Sequence, residues 1–197
     1  KVQVAACAKT RSEPQDSPAK YYLEKLVQGS KVYIFGGGHV AQEAVPTLAR
    51  VNFDCIVLED REDFTKPELF PGVRRTRLVD MEHLEEVCRD ITSDDYICVM
   101  TRGHQHDFLV EKQILRTPAS YIGVIGSRKK KEAVFAKLRQ EGYTDQDLAR
   151  IKTPMGLDIQ AETPAEIAVS IAAEMIMERA RRNHIERPNE GGKEPCV

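Results

Sequence analysis

From Lys31 onward, short apolar runs alternate with longer amphipathic stretches. That alternation is the signature of βαβ units and predicts a parallel sheet. The expected strands are Val32–Phe35, Cys55–Leu58, Val73–Leu78, Tyr96–Met100 and Tyr121–Ile125. The runs Val32-Tyr33-Ile34-Phe35 and Tyr121-Ile122-Gly123-Val124-Ile125 are apolar at every position, as a strand covered by helices on both sides requires. Between them, Val40, Ala41, Ala44, Val45, Leu48 and Ala49 recur with a helical period. Pro46 lies inside that stretch and is expected to kink the helix, because it lacks a backbone donor. Further helices are expected over Met81–Ile91, Phe108–Arg116 and Lys130–Glu141, the last closed by Gly142 as a C′ glycine.

The final helix is the most legible. Thr163, Pro164 and Glu166 supply an N-cap, a proline at N1 and a glutamate at N3. Ile167, Ala168, Ile171, Ala172, Met175 and Ile176 then form an apolar face, and Arg179, Arg181 and Arg182 follow at the end where cations suit the helix dipole. Before Lys31 no period is sustained, and one helical turn is expected around Tyr21–Leu26. The expected organisation is an N-terminal appendage over 1–30, a nucleotide- or cofactor-binding domain over 31–183, and a flexible polar tail over 184–197. The segment Thr153–Ile159 reads as a turn feeding a short strand.

Gly36-Gly37-Gly38-His39-Val40-Ala41 follows the first strand directly and opens a helix, matching G-x-G-x-x-A. In that pattern the first glycine allows a tight turn and the second lets a pyrophosphate approach the backbone, while a small third residue lets helix pack on strand. The helix N-terminus then faces the anion. Glu59 and Asp60 end the second strand 23 and 24 residues after Gly36, where a ribose-binding acid belongs. Arg61 is adjacent and could instead favour a 2′-phosphate. Together these features define the expected fold class: α/β, a Rossmann-like doubly wound parallel sheet with helices on both faces and strand order 3-2-1-4-5.

Two more loops would face the glycine turn in that topology. Thr101-Arg102-Gly103-His104-Gln105-His106-Asp107 follows the fourth strand, and His104, His106 and Asp107 are its acid/base candidates. The H-x-H-D spacing departs from H-x-H-x-D-H zinc sites, so no permanent metal is expected. The alternative is a solvated loop with Asp107 capping the next helix. Gly126-Ser127-Arg128-Lys129-Lys130-Lys131 follows the fifth strand and places four cations in a helix's first turn, against its dipole. A bound anion would remove that conflict, although a solvated basic turn would tolerate it. The residues expected to bind a cofactor are therefore Gly36, Gly37, Gly38, His39, Glu59, Asp60, Arg102, Gly103, His104, Gly126, Ser127 and Arg128. The chain has neither a G-x-S-x-G nucleophile elbow nor a P-loop ending in GK[ST].

Composition narrows the function classes. A length of 197 residues fits one domain with short appendages, and 41% apolar residues suffice for an ordinary core. Lysine and arginine (29) nearly balance aspartate and glutamate (31), which argues against a dedicated nucleic-acid binder. No run approaches the roughly 18 apolar residues of a membrane span. The five cysteines, Cys7, Cys55, Cys88, Cys98 and Cys196, are odd in number and contain no C-x-x-C pair, so a reducing, cytoplasmic location is expected. Lys rather than Met at position 1 reads as a processed chain.

The segments YIFGGGHVAQ (33–42), VLEDRE.F (57–64), VMTRGHQHD (99–107), YIGVIGSRKKK (121–131) and TPMGLDIQAETPAEIAVSIAAEM (153–175) occur in order. With these motifs the chain resembles the XdhC/CoxI family of accessory and maturation factors for molybdenum hydroxylases such as xanthine dehydrogenase. The similarity covers about residues 28–180. The resemblance implies a Rossmann-type domain that binds molybdenum cofactor, protects it while its sulfido ligand is installed, and delivers it to a hydroxylase client. It implies that client as a partner and is compatible with a cysteine desulfurase and a homodimer. Relatives often carry an additional N-terminal domain, so about 30 residues before the first strand imply a truncated or short form. Bacterial molybdenum cofactor (molybdopterin) often exists as a dinucleotide, whose pyrophosphate suits this fold as well as NAD(P) does. Three readings follow: a cofactor chaperone, an NAD(P)-dependent oxidoreductase with His104 or His106 as acid/base, and a nucleotide-sensing domain without chemistry.

Overall fold

The computed structural model describes residues 30–185, apart from the side chains of His104, Arg128, Lys129, Lys130, His184 and Ile185. Six strands form one sheet: β1 (Lys31–Phe35), β2 (Asp54–Glu59), β3 (Arg75–Leu78), β4 (Tyr96–Val99), β5 (Tyr121–Val124) and β6 (Ile151–Lys152). Their order is β3-β2-β1-β4-β5-β6 and every pair is parallel. The helices are α1 (His39–Arg50), α2 (Glu85–Asp90), α3 (His104–Ile114), α4 (Arg128–Gln140), α5 (Asp145–Leu148) and α6 (Pro164–Ile185). Two short 3₁₀ turns, Glu62–Phe64 and Pro67–Leu69, lie between β2 and β3. The expected doubly wound sheet is present, with a sixth strand added at its edge.

Strand alternation divides the core into two layers. Tyr33 and Phe35 of β1 join Ile97, Val99, Ile122 and Val124 under α2–α5. Val32 and Ile34 face the other way, with Cys55, Val57 and Cys98, and meet the inner faces of α1 and α6. Small residues, Ala41 and Ala44 on α1 and Ala168 and Ala172 on α6, line that second layer. α1 runs unbroken through Pro46.

Several boundaries move from their expected places. The helix expected over Met81–Ile91 contracts to α2, because side chains satisfy the backbone ahead of it: Asp80 accepts from the Glu82 amide and the Gln113 side-chain oxygen from the Leu84 amide. α3 starts at His104, earlier than expected, on the extended backbone of Gly103. β3 begins at Arg75 rather than Val73. No strand follows Thr153; the short strand β6 precedes it, and its two residues are too few to show a period. α4 ends as expected around Gly142, with the Tyr143 amide donating to Leu138 and the Gly142 amide to Arg139, a Schellman pattern. The expected turn at Tyr21–Leu26 and the tail beyond Ile185 lie outside the described residues, and α6 continues past the expected boundary at 183.

Leu48 on α1 is fully buried in the layer shared with α6. Leu48→Ala is expected to lower unfolding free energy by about 2–5 kcal/mol, through lost burial and a residual cavity. Urea denaturation with an unchanged m-value checks this.

Candidate functional site

The turns at the carboxyl ends of β1, β2 and β4 converge on one cleft, at the point where the strand order reverses. The cleft holds about 370 Å³ counted to its mouth and is lined by Gly36, Gly38, Glu59, Asp60, Arg61, Met81, Met100, Thr101, Arg102 and His106.

Its floor is built around one carboxylate. Glu59, the last residue of β2, is 2% exposed. Its Oε2 accepts from the Gly37 amide at 2.7 Å, and its two oxygens accept from Nε and Nη2 of Arg61, both at 2.9 Å. Burial alone would raise this carboxyl's pKa, but the hydrogen bonds with Arg61, the Asp60 side chain and the Gly37 amide prevail and hold it at about 2. Arg61 also stacks over the Phe64 ring, 3.8 Å from its centroid.

The three glycines have different surroundings. Gly36 has φ +108°, and a Cβ there would come within 2.4 Å of the Met100 carbonyl oxygen. A Cβ on Gly37 would stand 2.5 Å from the Phe64 carbonyl oxygen. A Cβ on Gly38 would meet nothing within 4 Å, so the cleft is open there. Gly38 is also the N-cap of α1, whose first turn contains no acidic residue. Gly103 holds the same position on α3. Glycine has no side chain to cap a helix, so the amino end of α1 meets the cleft without a side-chain cap, while α3, with Asp107 in its first turn, starts between the lining residues Arg102 and His106.

The cleft's opposite walls are tied by an ion pair. Asp60 Oδ2 accepts from Arg102 Nη2 at 3.0 Å and lies 3.4 Å from His106 Nε2. The pKa of Asp60 is raised, first by its hydrogen bond with the Glu59 carboxyl and then by burial, with Arg102 and His106 opposing. The two acids at the end of β2 thus separate in role. Glu59 braces the glycine turn, and Asp60 presents a carboxylate to the cleft. Arg61 lines the cleft while its Nε and Nη2 are bonded to Glu59.

Among the residues expected at the site, Gly36, Gly38, Glu59, Asp60, Arg102 and His106 share the cleft lining. Gly37 stands behind it, and His39 is the exposed first residue of α1. Asp107 points elsewhere. It is 1% exposed, accepts a hydrogen bond from the Thr101 hydroxyl, and borders a smaller cavity between α3 and α4 with Glu111, Lys131 and Thr153. It is therefore not the α3 cap; Gly103 holds that position. Gly126 and Ser127 lie on the β5–α4 turn, farther along the same sheet edge, and do not line this cleft. The side chains of His104 and Arg128 lie outside the described ones, and their backbones open α3 and α4. Met81 and Met100 are lining residues that motif reasoning missed, since an isolated methionine after a strand carries no pattern. Burial pushes the Cys55 thiol up to about 12 and the Cys88 thiol to about 11, and raises that of Cys98 as well. Among the described residues, no group of three or more His, Cys, Asp or Glu side chains is placed to hold a metal ion, and no helix is long and apolar enough to cross a membrane.

The family pattern described as the XdhC Rossmann domain matches residues 32–175. Among curated proteins, the chain is 30% identical over 148 residues to the uncharacterized protein YqeB of Escherichia coli K12, covering 74% of this chain and 27% of that protein. It is 25% identical over 166 residues to a probable xanthine dehydrogenase subunit of Bacillus subtilis 168, covering 84% of this chain and 48% of the other. A crystal structure described as a xanthine dehydrogenase from Bacillus halodurans superposes with a TM-score of 0.68 at 26% identity, covering 81% of this chain and 45% of that one. The chain therefore spans about a quarter of the Escherichia coli protein and about half of the Bacillus proteins.

Glu59→Gln removes the charge that holds Gly37 and Arg61 together. It is expected to cost about 1–3 kcal/mol of stability at neutral pH. The folded pKa of Glu59, about 2, lies below its ordinary value of 4.5, so the unfolded chain binds the extra proton in that window. The wild-type advantage should be full above pH 4.5 and vanish as pH falls through about 2. Paired denaturation curves across that range check the sign.

Proposed function

This chain belongs to the XdhC Rossmann-domain family, and on that premise we propose that it is the cofactor-binding domain of a maturation factor for a molybdenum hydroxylase. In this reading the domain holds molybdenum cofactor in its dinucleotide form and releases it to the client enzyme. The observation that carries the reading is the open cradle at Gly38, at the uncapped N-terminus of α1 and in one cleft with Arg102 and His106. A pyrophosphate would fit such a place: the first-turn amides of α1 and the Arg102 guanidinium, which also pairs with Asp60, would supply donors, and the missing Cβ leaves room for close approach. Asp60, in the cleft lining, would accept hydrogen bonds from a ribose. When bound, the cofactor supplies the oxidation–reduction chemistry of the client. This chain's residues bind and orient it.

The partner assignment is supported by the two Bacillus relatives, one named as a xanthine dehydrogenase and the other as a probable component of one. Sulfuration of the cofactor falls to a separate cysteine desulfurase in this reading. Cys55 and Cys98 are buried and Cys88 half-buried, all with raised pKa values, so they are poor sulfur carriers.

The test is a mass spectrum of ligand released from protein purified out of cells that make the cofactor. A pterin dinucleotide with stoichiometric molybdenum is expected. A nicotinamide dinucleotide would instead establish the oxidoreductase reading. Gly38→Val should lose the retained ligand while keeping the wild-type melting temperature, because its side chain enters open space. Arg102→Ala should weaken binding of the isolated dinucleotide at least tenfold, a loss of about 1.4 kcal/mol. Wild-type retention by a folded Gly38→Val protein would remove the glycine cradle from the site.

A further inference from the structure

Over its middle turns α6 is apolar on its outer side as well as on the side that Ala168, Ile171, Ala172 and Met175 bury in the core. Every charged residue between Glu166 and Arg181 is engaged by the chain's own fold. Glu174 is 6% exposed and accepts from the Tyr121 hydroxyl and the Gly156 amide. Glu178 pairs with Lys152, and Arg179 donates to the Val51 carbonyl and covers the Phe53 ring. The outward positions are instead Ala165, Val169, Ala173, Ile176 and Ala180, spaced three or four residues apart. Val169 is 55% exposed and Ile176 40%. A helix face in water is ordinarily polar, and an apolar stripe on a helix marks a face that packs against something. Leu157, 36% exposed and held beside α6 by the Ser170 hydroxyl, continues the stripe at its upper end.

We propose that this face is a self-association surface, pairing antiparallel with α6 of a second copy about a two-fold axis near Ala173. Three features select a second copy. The stripe is nearly symmetric about its centre, so Val169 of one copy meets Ile176 of the other, as an isologous contact requires. The residue at the crossing is alanine, which lets two helix backbones approach closely. The exposed charges at the two ends are opposite: Glu162 and Glu166 at the amino end, where Glu166 also accepts the Glu162 and Thr163 amides, and Arg181 at the carboxyl end, where it also pairs with Glu178. Antiparallel pairing sets each acidic end beside the other copy's basic end and opposes the two helix dipoles. A parallel arrangement would set like against like. Because α6 begins near the carboxyl edge of the sheet, the two clefts open toward opposite ends of the dimer.

Sedimentation equilibrium of the full chain at micromolar concentrations tests this. A dimer is expected. Ala173→Arg should weaken association at least about a hundredfold while keeping the wild-type circular dichroism and melting temperature. Mild oxidation of Ala173→Cys should give a covalent dimer. Val169→Cys should not cross-link to itself, its copies lying too far apart for a disulfide, but should do so when mixed with Ile176→Cys. The unsubstituted chain controls for its native cysteines. A wild-type monomer, whether its α6 is bare or covered by another part of the protein, overturns the proposal. So does a dimer that survives Ala173→Arg.

Discussion

The carboxylate of Glu59 joins two pieces of backbone that would otherwise meet only through main-chain contacts: the end of β2 and the turn leaving β1. The Gly36 amide already bonds to the Leu58 carbonyl, continuing the β1–β2 ladder by one step. The next amide, Gly37, has no strand partner and takes the Glu59 side chain instead. That contact fixes the direction in which α1 starts, and so where its first amides point. Arg61, clamped by the same carboxylate, lies over Phe64, whose carbonyl closes on Gly37 from the other side. Two of the three glycines are thus demanded by the fold. Only Gly38, with open space where its Cβ would be, is left for a ligand.

Polarity at the cleft is arranged in pairs. Glu59 is matched by Arg61, and Asp60 by Arg102 with His106 beside it. Side-chain charges therefore nearly cancel, in keeping with a chain whose acidic and basic residues nearly balance. What remains without a side-chain charge set against it is the positive end of α1, whose N-cap is glycine and whose first turn holds no acidic residue. In the proposed function, such a site would draw an anion by fixed dipoles rather than by net charge. Its affinity can then be specific for a small anionic group without drawing nucleic acid to the whole surface.

The central strands were legible because β1, β4 and β5 are buried on both faces, which forces continuous apolar runs. Strand order followed from the βαβ alternation, and the glycine turn from its place between an apolar strand and a helical stripe. The sequence was silent where structure rests on single long-range bonds. Gln113 shortens α2 from 29 residues away, and two-residue β6 exists only through pairing with β5. At the site, sequence named both Glu59 and Asp60 without distinguishing them. Which neighbour turns inward depends on the Gly37 amide 22 residues earlier. Asp107 looked like a loop residue because it adjoins two histidines, yet one helical turn carries it under Thr101 and out of the cleft.

α6 shows the cost of holding irregular chain in place. The stretch from Thr153 to Thr163 has no regular structure, so its amides and carbonyls need partners from elsewhere. α6 supplies them: Glu174 takes the Gly156 amide, Ser170 donates to Leu157, and Glu166 takes the amides of Glu162 and Thr163. At its other end Arg179 and Arg182 bind carbonyls at the base of the sheet. A helix that turns its polar groups toward its own fold has few left to show to water. The apolar outer face is the counterpart of that inward polarity, and it explains why a 22-residue helix on the surface of the domain is apolar on two sides.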